Sequence, residues 1–269
     1  MSSSSVEYIR HPYHLVDPSP QPFVISFALL MITTGTVFYM HGHPVWMFIL
    51  PLGFSWLIWI MVDWFRVIVL ESTYMGYHTE RVQFSHKTGI KLFITSEVMF
   101  FFSFFWAFFA SSLSPSIWIF QQYPPEGIDV ISPWGIPLAN TVILLSSGAT
   151  VTWSHYAIAA GELAQATYSL QLTIILAIIF TALQVFEYRH ATFTISDSIF
   201  GTCFYMLTGF HGFHVIVGTI WLAACLFRMG RRHFKPKHHV GFEGAIWYWH
   251  FVDVVWLFLF VVVYWWGGK

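Results

Sequence analysis

Charge is absent from long stretches of this chain. Residues 18–62, 98–125, 130–161, 163–186 and 198–227 contain no Asp, Glu, Lys or Arg. About 20 apolar residues carry a helix across the ~30 Å hydrocarbon core of a bilayer, so each stretch is long enough to cross. In lipid, every backbone N–H and C=O must be bonded inside the protein, which leaves helices and closed barrels as the only spanning structures. A spanning strand needs about ten residues of in–out alternation. The run from Phe100 to Trp106, broken only by Ser103, has none. Helices are therefore expected. Composition agrees: 9% of the residues are charged and 57% hydrophobic, whereas a soluble domain carries roughly 25% charged residues. A soluble enzyme, a disordered chain and a disulfide scaffold are all excluded. The net charge of −1 gives no reason to expect a nucleic-acid partner. Cys203 and Cys225 lie in apolar runs without CxxC spacing, so no disulfide framework is expected.

The first uncharged run is too long for one crossing, and His41-Gly42-His43-Pro44 divides it with a polar turn and a helix breaker. Seven spans follow, at roughly 22–40, 45–69, 84–113, 138–160, 166–187, 197–227 and 241–266. The third and sixth, at about 30 residues or ~45 Å, exceed the hydrocarbon thickness and should tilt or project into the headgroups. The proline-rich stretch 114–137 reads as an ordered turn or contact loop. With the N-terminus on one side, that side holds Arg10, Arg66, Arg81, Lys87, Lys91, Arg228, Arg231, Arg232, Lys235 and Lys237. The other holds Arg189 and Lys269. Positive charge stays on the inner side, so the N-terminus is expected inside. Residues 1–21 match neither a signal peptide nor a transit peptide, with Arg10 their only basic residue and Pro12, Pro18 and Pro20 among them. No fixed-period repeat is present.

Few side chains invite chemistry. His211 and His214 lie three apart in the sixth span and share a face. That spacing could serve one metal ion, but the preferred reading for these residues, and for His155 and His250, is that the imidazoles hydrogen-bond between helices or sit near headgroups. Glu97 lies about six residues beyond Lys91, ~9 Å into its span, among Phe93, Ile94, Phe100 and Phe101. An ionised carboxylate there costs about 2.5 kcal/mol or more. Glu97 is read as a protonatable or headgroup-binding carboxylate, with a bond to a neighbouring helix as the plainer alternative. Asp253, three residues after His250, is expected to pair with it, and Asp63 with Arg66. The basic clusters suit anionic lipid. Trp64, Trp134, Trp265 and Trp266 are placed as interfacial anchors. Small residues at 146–150 and at Gly201, Gly209, Gly212 and Gly218 permit close helix approach.

Several segments together resemble cytochrome c oxidase subunit III. They are His11–Pro20, Ser96–Phe101, Tyr123–Ile128, Leu144–His155, Phe193–Asp197, Thr208–Val215 and His238–Phe260, with the terminal Tyr-Trp-Trp-Gly. The similarity covers essentially the whole chain, and the mitochondrial form fits best. It implies an all-α integral membrane protein of seven transmembrane helices in two bundles, helices 1–2 and 3–7, around a lipid-filled cleft. The corresponding segments are a matrix-side tail (1–21), a two-helix bundle (22–70) and a five-helix bundle (71–269). It also implies a core subunit of complex IV that carries no catalytic residue and no metal of its own. Haem a, haem a3 and copper reside in partner subunits I and II, small nuclear-encoded subunits attach, and cytochrome c is oxidised by the complex. By matched motif, Glu97 is the protonatable buried carboxylate, while Arg66, Glu71, His78 and Arg228 are placed near bound phospholipid. The implied location is the mitochondrial inner membrane, with the N-terminus in the matrix and the C-terminus in the intermembrane space. Val67 and Leu70 stand where the family often has charge, Ala110 where it often has histidine, and Ser198 where it has glycine. The third subunit of a quinol oxidase is the nearest alternative; an independent proton-coupled transporter using Glu97 and Asp253 is the other.

Overall fold

A computed structural model describes residues 11–268. Arg10 and Lys269, used above in the charge count, lie outside the described residues, as do residues 1–10 of the 1–21 tail. Seven long helices follow one another: α1 (Gln21–Met40), α2 (Trp46–Thr73), α3 (Glu80–Leu113), α4 (Ile136–Ala160), α5 (Leu163–His190), α6 (Ser198–Gly230) and α7 (Val240–Leu259). A π-helical segment, Phe260–Trp266, continues α7. All seven are long and apolar enough to cross a membrane, so the expected all-α, seven-span class holds. The largest boundary differences are at α2, which runs four residues past the expected end, and α3, which starts four residues early. The added turns carry polar side chains, Glu71, Ser72 and Thr73 in α2 and Glu80, Arg81 and Gln83 in α3, which a hydropathy reading leaves out. The 114–137 connection contains a single short 3₁₀ turn, Ile117–Ile119.

The chain divides into two compact units between His86 and Lys87. In the first, α1 and α2 pack as a hairpin. Gly35 lies against the Leu50 backbone and Gly53 against Ile32, so a methyl group at either position would meet atoms at 3.0–3.2 Å. Both helices carry much exposed apolar surface, including Phe48, Ile58, Trp59 and Phe65. On a span, such a surface faces lipid or partner protein.

In the second unit, α7 is central, with 56% of its most apolar stretch buried, against 11% for α3. Its fully buried Trp249 and Trp256 donate their indole N–H to Ser147 Oγ (2.9 Å) and Thr141 Oγ1 (3.0 Å) of α4. Gly218 of α6 lies under the Trp249 ring, which an added Cβ would meet at 2.9 Å. The small residues thus do what their size predicts at Ser147 and Gly218, while Gly212 faces open space. α3 stands off differently. Its backbone comes within 8 Å of other helices at few points, and large side chains fill the distance, with Phe100 edge-on to Phe210 at 4.9 Å and Phe101 6.0 Å from Phe251. Farther along, α3 and α7 leave an apolar groove of about 770 Å³ lined by Phe102, Phe105, Trp106, Phe109, Val254 and Phe258 among others.

Candidate functional site

Glu97 points from α3 to α6, and its Oε2 lies 2.8 Å from His214 Nε2. The other ring nitrogen of His214, Nδ1, is 2.6 Å from the Phe210 carbonyl oxygen. A carbonyl only accepts, so Nδ1 carries hydrogen. The short Nε2–Oε2 contact then requires a second proton between the two groups. The pair holds that proton as carboxylic acid and imidazole or as carboxylate and imidazolium, and is neutral overall in both forms. The His214 side chain is 9% exposed and that of Glu97 22%. Phe101 stands edge-on to the imidazole at 5.0 Å, and Tyr248 lies nearly parallel to it at 6.1 Å. The result is a one-proton site with an apolar wall and a partly open carboxylate.

Asp253 and His250 form a second pair across α7, with Oδ2 3.3 Å from Nδ1. Thr152 of α4 spends its hydroxyl hydrogen on the Gly148 carbonyl (2.9 Å), so its oxygen accepts from His250 Nε2 at 3.1 Å. The same reasoning places a shared proton between His250 and Asp253. The pairing expected from their spacing is present, and Thr152 is the partner that spacing did not indicate.

His211 and His214 do not converge on one ion. His211 sends Nε2 to the Val252 carbonyl of α7 (3.2 Å), while His214 turns to Glu97 of α3. Interhelical hydrogen bonding, the preferred reading, describes both. The proposed pairing of Asp63 with Arg66 does not form: Asp63 accepts from Gln21 Nε2 at 3.2 Å, because Gln21 opens α1 beside the same stretch of α2.

Of the residues placed near lipid, Glu71 and His78 come together in the first unit with His14, their ligand atoms within 4.8 Å of one another. Arg66 is exposed on α2 and joins no ion pair among the described residues. In the second unit, Arg228 ends α6 with its guanidinium 4.5 Å from the Phe234 ring centre and its Nε buried without a hydrogen-bond partner.

Sequence reasoning missed the buried carboxylate Glu187. Its Oε1 accepts from the Tyr264 hydroxyl at 2.6 Å and from Gln184 Nε2 at 3.2 Å. The charge beside it in sequence, Arg189, reads as a span end, which disguised an acid whose partner is 77 residues away.

The cytochrome c oxidase subunit III family matches residues 11–268. Proteins named cytochrome c oxidase subunit 3 are 56% identical over 259 residues in Prototheca wickerhamii (96% of this chain, 99% of that one) and 57% over 260 in Marchantia polymorpha (97% and 98%). In Chondrus crispus the identity is 54% over 269 residues (100% and 99%). With full-length identity above half and a family match across every described residue, the chain belongs to the cytochrome c oxidase subunit III family.

Proposed function

We propose that this chain is a core, non-catalytic subunit of mitochondrial complex IV. In that role it supports electron transfer from cytochrome c to dioxygen and the coupled pumping of protons. It packs on subunit I beside subunit II, and those partners hold haem a, haem a3 and copper. Small nuclear-encoded subunits and ordered phospholipid complete its surroundings. It sits in the inner membrane with its N-terminus in the matrix, the orientation that its basic residues favour.

The observation that carries the reading is the Glu97–His214 pair. Two hydrogen-bonded groups in an apolar wall, holding one proton between them, form a reservoir that can exchange without gaining net charge. Because the carboxylate is the more exposed partner, protons enter and leave through it. Such a site suits a subunit that assists proton supply at the matrix face. Arg66, Glu71 and His78 in the first unit and Arg228 in the second supply the charges and hydrogen-bond donors that a phospholipid headgroup takes.

Glu97→Gln in the assembled oxidase tests this. The amide still donates to His214 Nε2 but cannot release a proton. The complex should assemble with its haem spectrum intact and take up protons from the matrix face more slowly. Unchanged proton uptake would remove Glu97 from proton supply. Failure to assemble would overturn its placement as a site that packing does not need.

A further inference from the structure

Three potential metal donors meet at the end of the second unit where α4 finishes and α7 begins. His155 lies in the last two turns of α4, His239 is the N-cap residue of α7 and Glu243 is in its first turn. One ligand atom from each lies within 4.8 Å of the other two. His239 Nε2 and Glu243 Oε1 are 3.5 Å apart, close to the ~3.3 Å edge that donors about 2.0–2.1 Å from a tetrahedral zinc ion define. We propose that His155, His239 and Glu243 form a binding site for a redox-inert divalent cation of the zinc type.

The surroundings are arranged as a metal site requires. His239 Nδ1 is 2.9 Å from the Lys235 carbonyl oxygen, so Nδ1 carries the hydrogen and the Nε2 lone pair faces His155 and Glu243. A carbonyl that sets the tautomer and ring angle in this way is the usual outer partner of a ligating histidine. Lys235 is itself held by reciprocal backbone bonds with His238, which close the turn ahead of α7. Glu243 divides its two oxygens, with Oε2 2.6 Å from Lys87 Nζ and Oε1 toward His239. The second oxygen is thereby oriented from outside, as ligating carboxylates commonly are. His155 stands edge-on to His239 with ring centres 5.5 Å apart, and among the described residues its nitrogens make no hydrogen bond. Its lone pair is available, and drawing this half-buried side chain in from within 4.8 Å to the ~3.3 Å edge, at most about 1.5 Å, closes the triangle. His239 is almost fully buried, so the ion is partly shielded from water.

The donor set is two imidazoles and one carboxylate, with a fourth position for water. It contains no thiolate or thioether to favour copper(I), and two nitrogens with one oxygen suit zinc better than magnesium or calcium. The ion would tie the end of α4 to the start of α7 and hold the 231–239 connection between them. The inference is independent of the proton-supply reading, since it uses none of the same residues.

The test uses the whole oxidase complex, washed with chelator, dialysed against micromolar zinc and analysed by elemental mass spectrometry. Wild type should retain one more zinc ion per complex than His155→Asn or Glu243→Gln, whatever other chains bind. If Glu243→Gln fails to assemble, His155→Asn carries the comparison, since its ring makes no hydrogen bond that packing depends on. Equal zinc content in wild type and His155→Asn would overturn the proposal, as would a wild-type complex that takes up no zinc.

Discussion

Trp249 joins three helices, and removing its partners one at a time should separate hydrogen bonding from packing. Its indole N–H donates to Ser147 Oγ at 2.9 Å, while the Ser147 hydroxyl itself donates to the Leu144 carbonyl at 2.6 Å. Ser147→Ala leaves a fully buried N–H with no acceptor. In water-soluble proteins, an orphaned buried donor costs about 1–3 kcal/mol. Interhelical bonds in membranes average only about 0.6 kcal/mol, with a maximum near 1.7, because the separated helices find other partners. The indole sits between α4, α6 and α7 with no water-facing side, so the upper part of the membrane range is expected, about 1–1.7 kcal/mol. Gly218→Ala probes the opposite face of the same ring. Its Cβ would stand 2.9 Å from Trp249 Cε3, and an aromatic ring clamped by a hydrogen bond has little room to retreat. Overpacking of this kind costs about 1–3 kcal/mol. The two losses should not add: once Ser147 is alanine, the ring can move, and Gly218→Ala should cost less. The assay is thermal release of this chain from the detergent-purified complex, in both single variants and the double variant. Strict additivity, or a neutral Gly218→Ala, would refute the three-helix clamp.

Three further expectations concern turns and pairs. Ser198 opens α6 at φ +64° with its hydroxyl buried and unpartnered, and a left-handed conformation costs a non-glycine residue about 1–2 kcal/mol; Ser198→Gly should therefore raise the release temperature, and a lower one would contradict the strain. Gly148→Ala would put a Cβ 2.5 Å from Asp253 Oδ2, break the His250–Asp253–Thr152 set and lower the release temperature, whereas an unchanged value would show that the acid has room to turn. In the 231–239 connection, burial first, and then the charges of Arg228 and Arg231, hold the His233 pKa below 6.5. The unfolded connection therefore takes up a proton before the folded one does, so its stability is full above about pH 6.5 and declines as the pH falls toward the lower folded value. Hydrogen exchange of residues 231–239, corrected for its intrinsic pH dependence, should accelerate relative to α7 between pH 7 and 5.5, and a constant ratio would count against the shift.

The seven helices were legible because lipid imposes one rule on every span, and uncharged length reports it directly. Helix ends were less legible. Thr73 and Glu80 belong to helices although they lie outside the apolar runs, since backbone hydrogen bonding continues where hydropathy stops. The site divides in the same way. His250 and Asp253 lie three apart on one helix, so periodicity alone brought them together. Glu97 could be singled out by its apolar neighbours, but its partner is 117 residues away, and helix packing that no local pattern records decides the match. Glu187 with Tyr264, and His155 with His239, were hidden for the same reason. Asp63 shows the converse error: helix spacing permitted a bond to Arg66, and the adjacent helix supplied Gln21 instead.

The most direct test of the account is purification through a tag on this chain in mild detergent, with an optical spectrum and the masses of the co-purifying chains. The account predicts haem a absorption and two larger partners, one of them carrying copper. A colourless chain that purifies alone from well-folded membranes would contradict it.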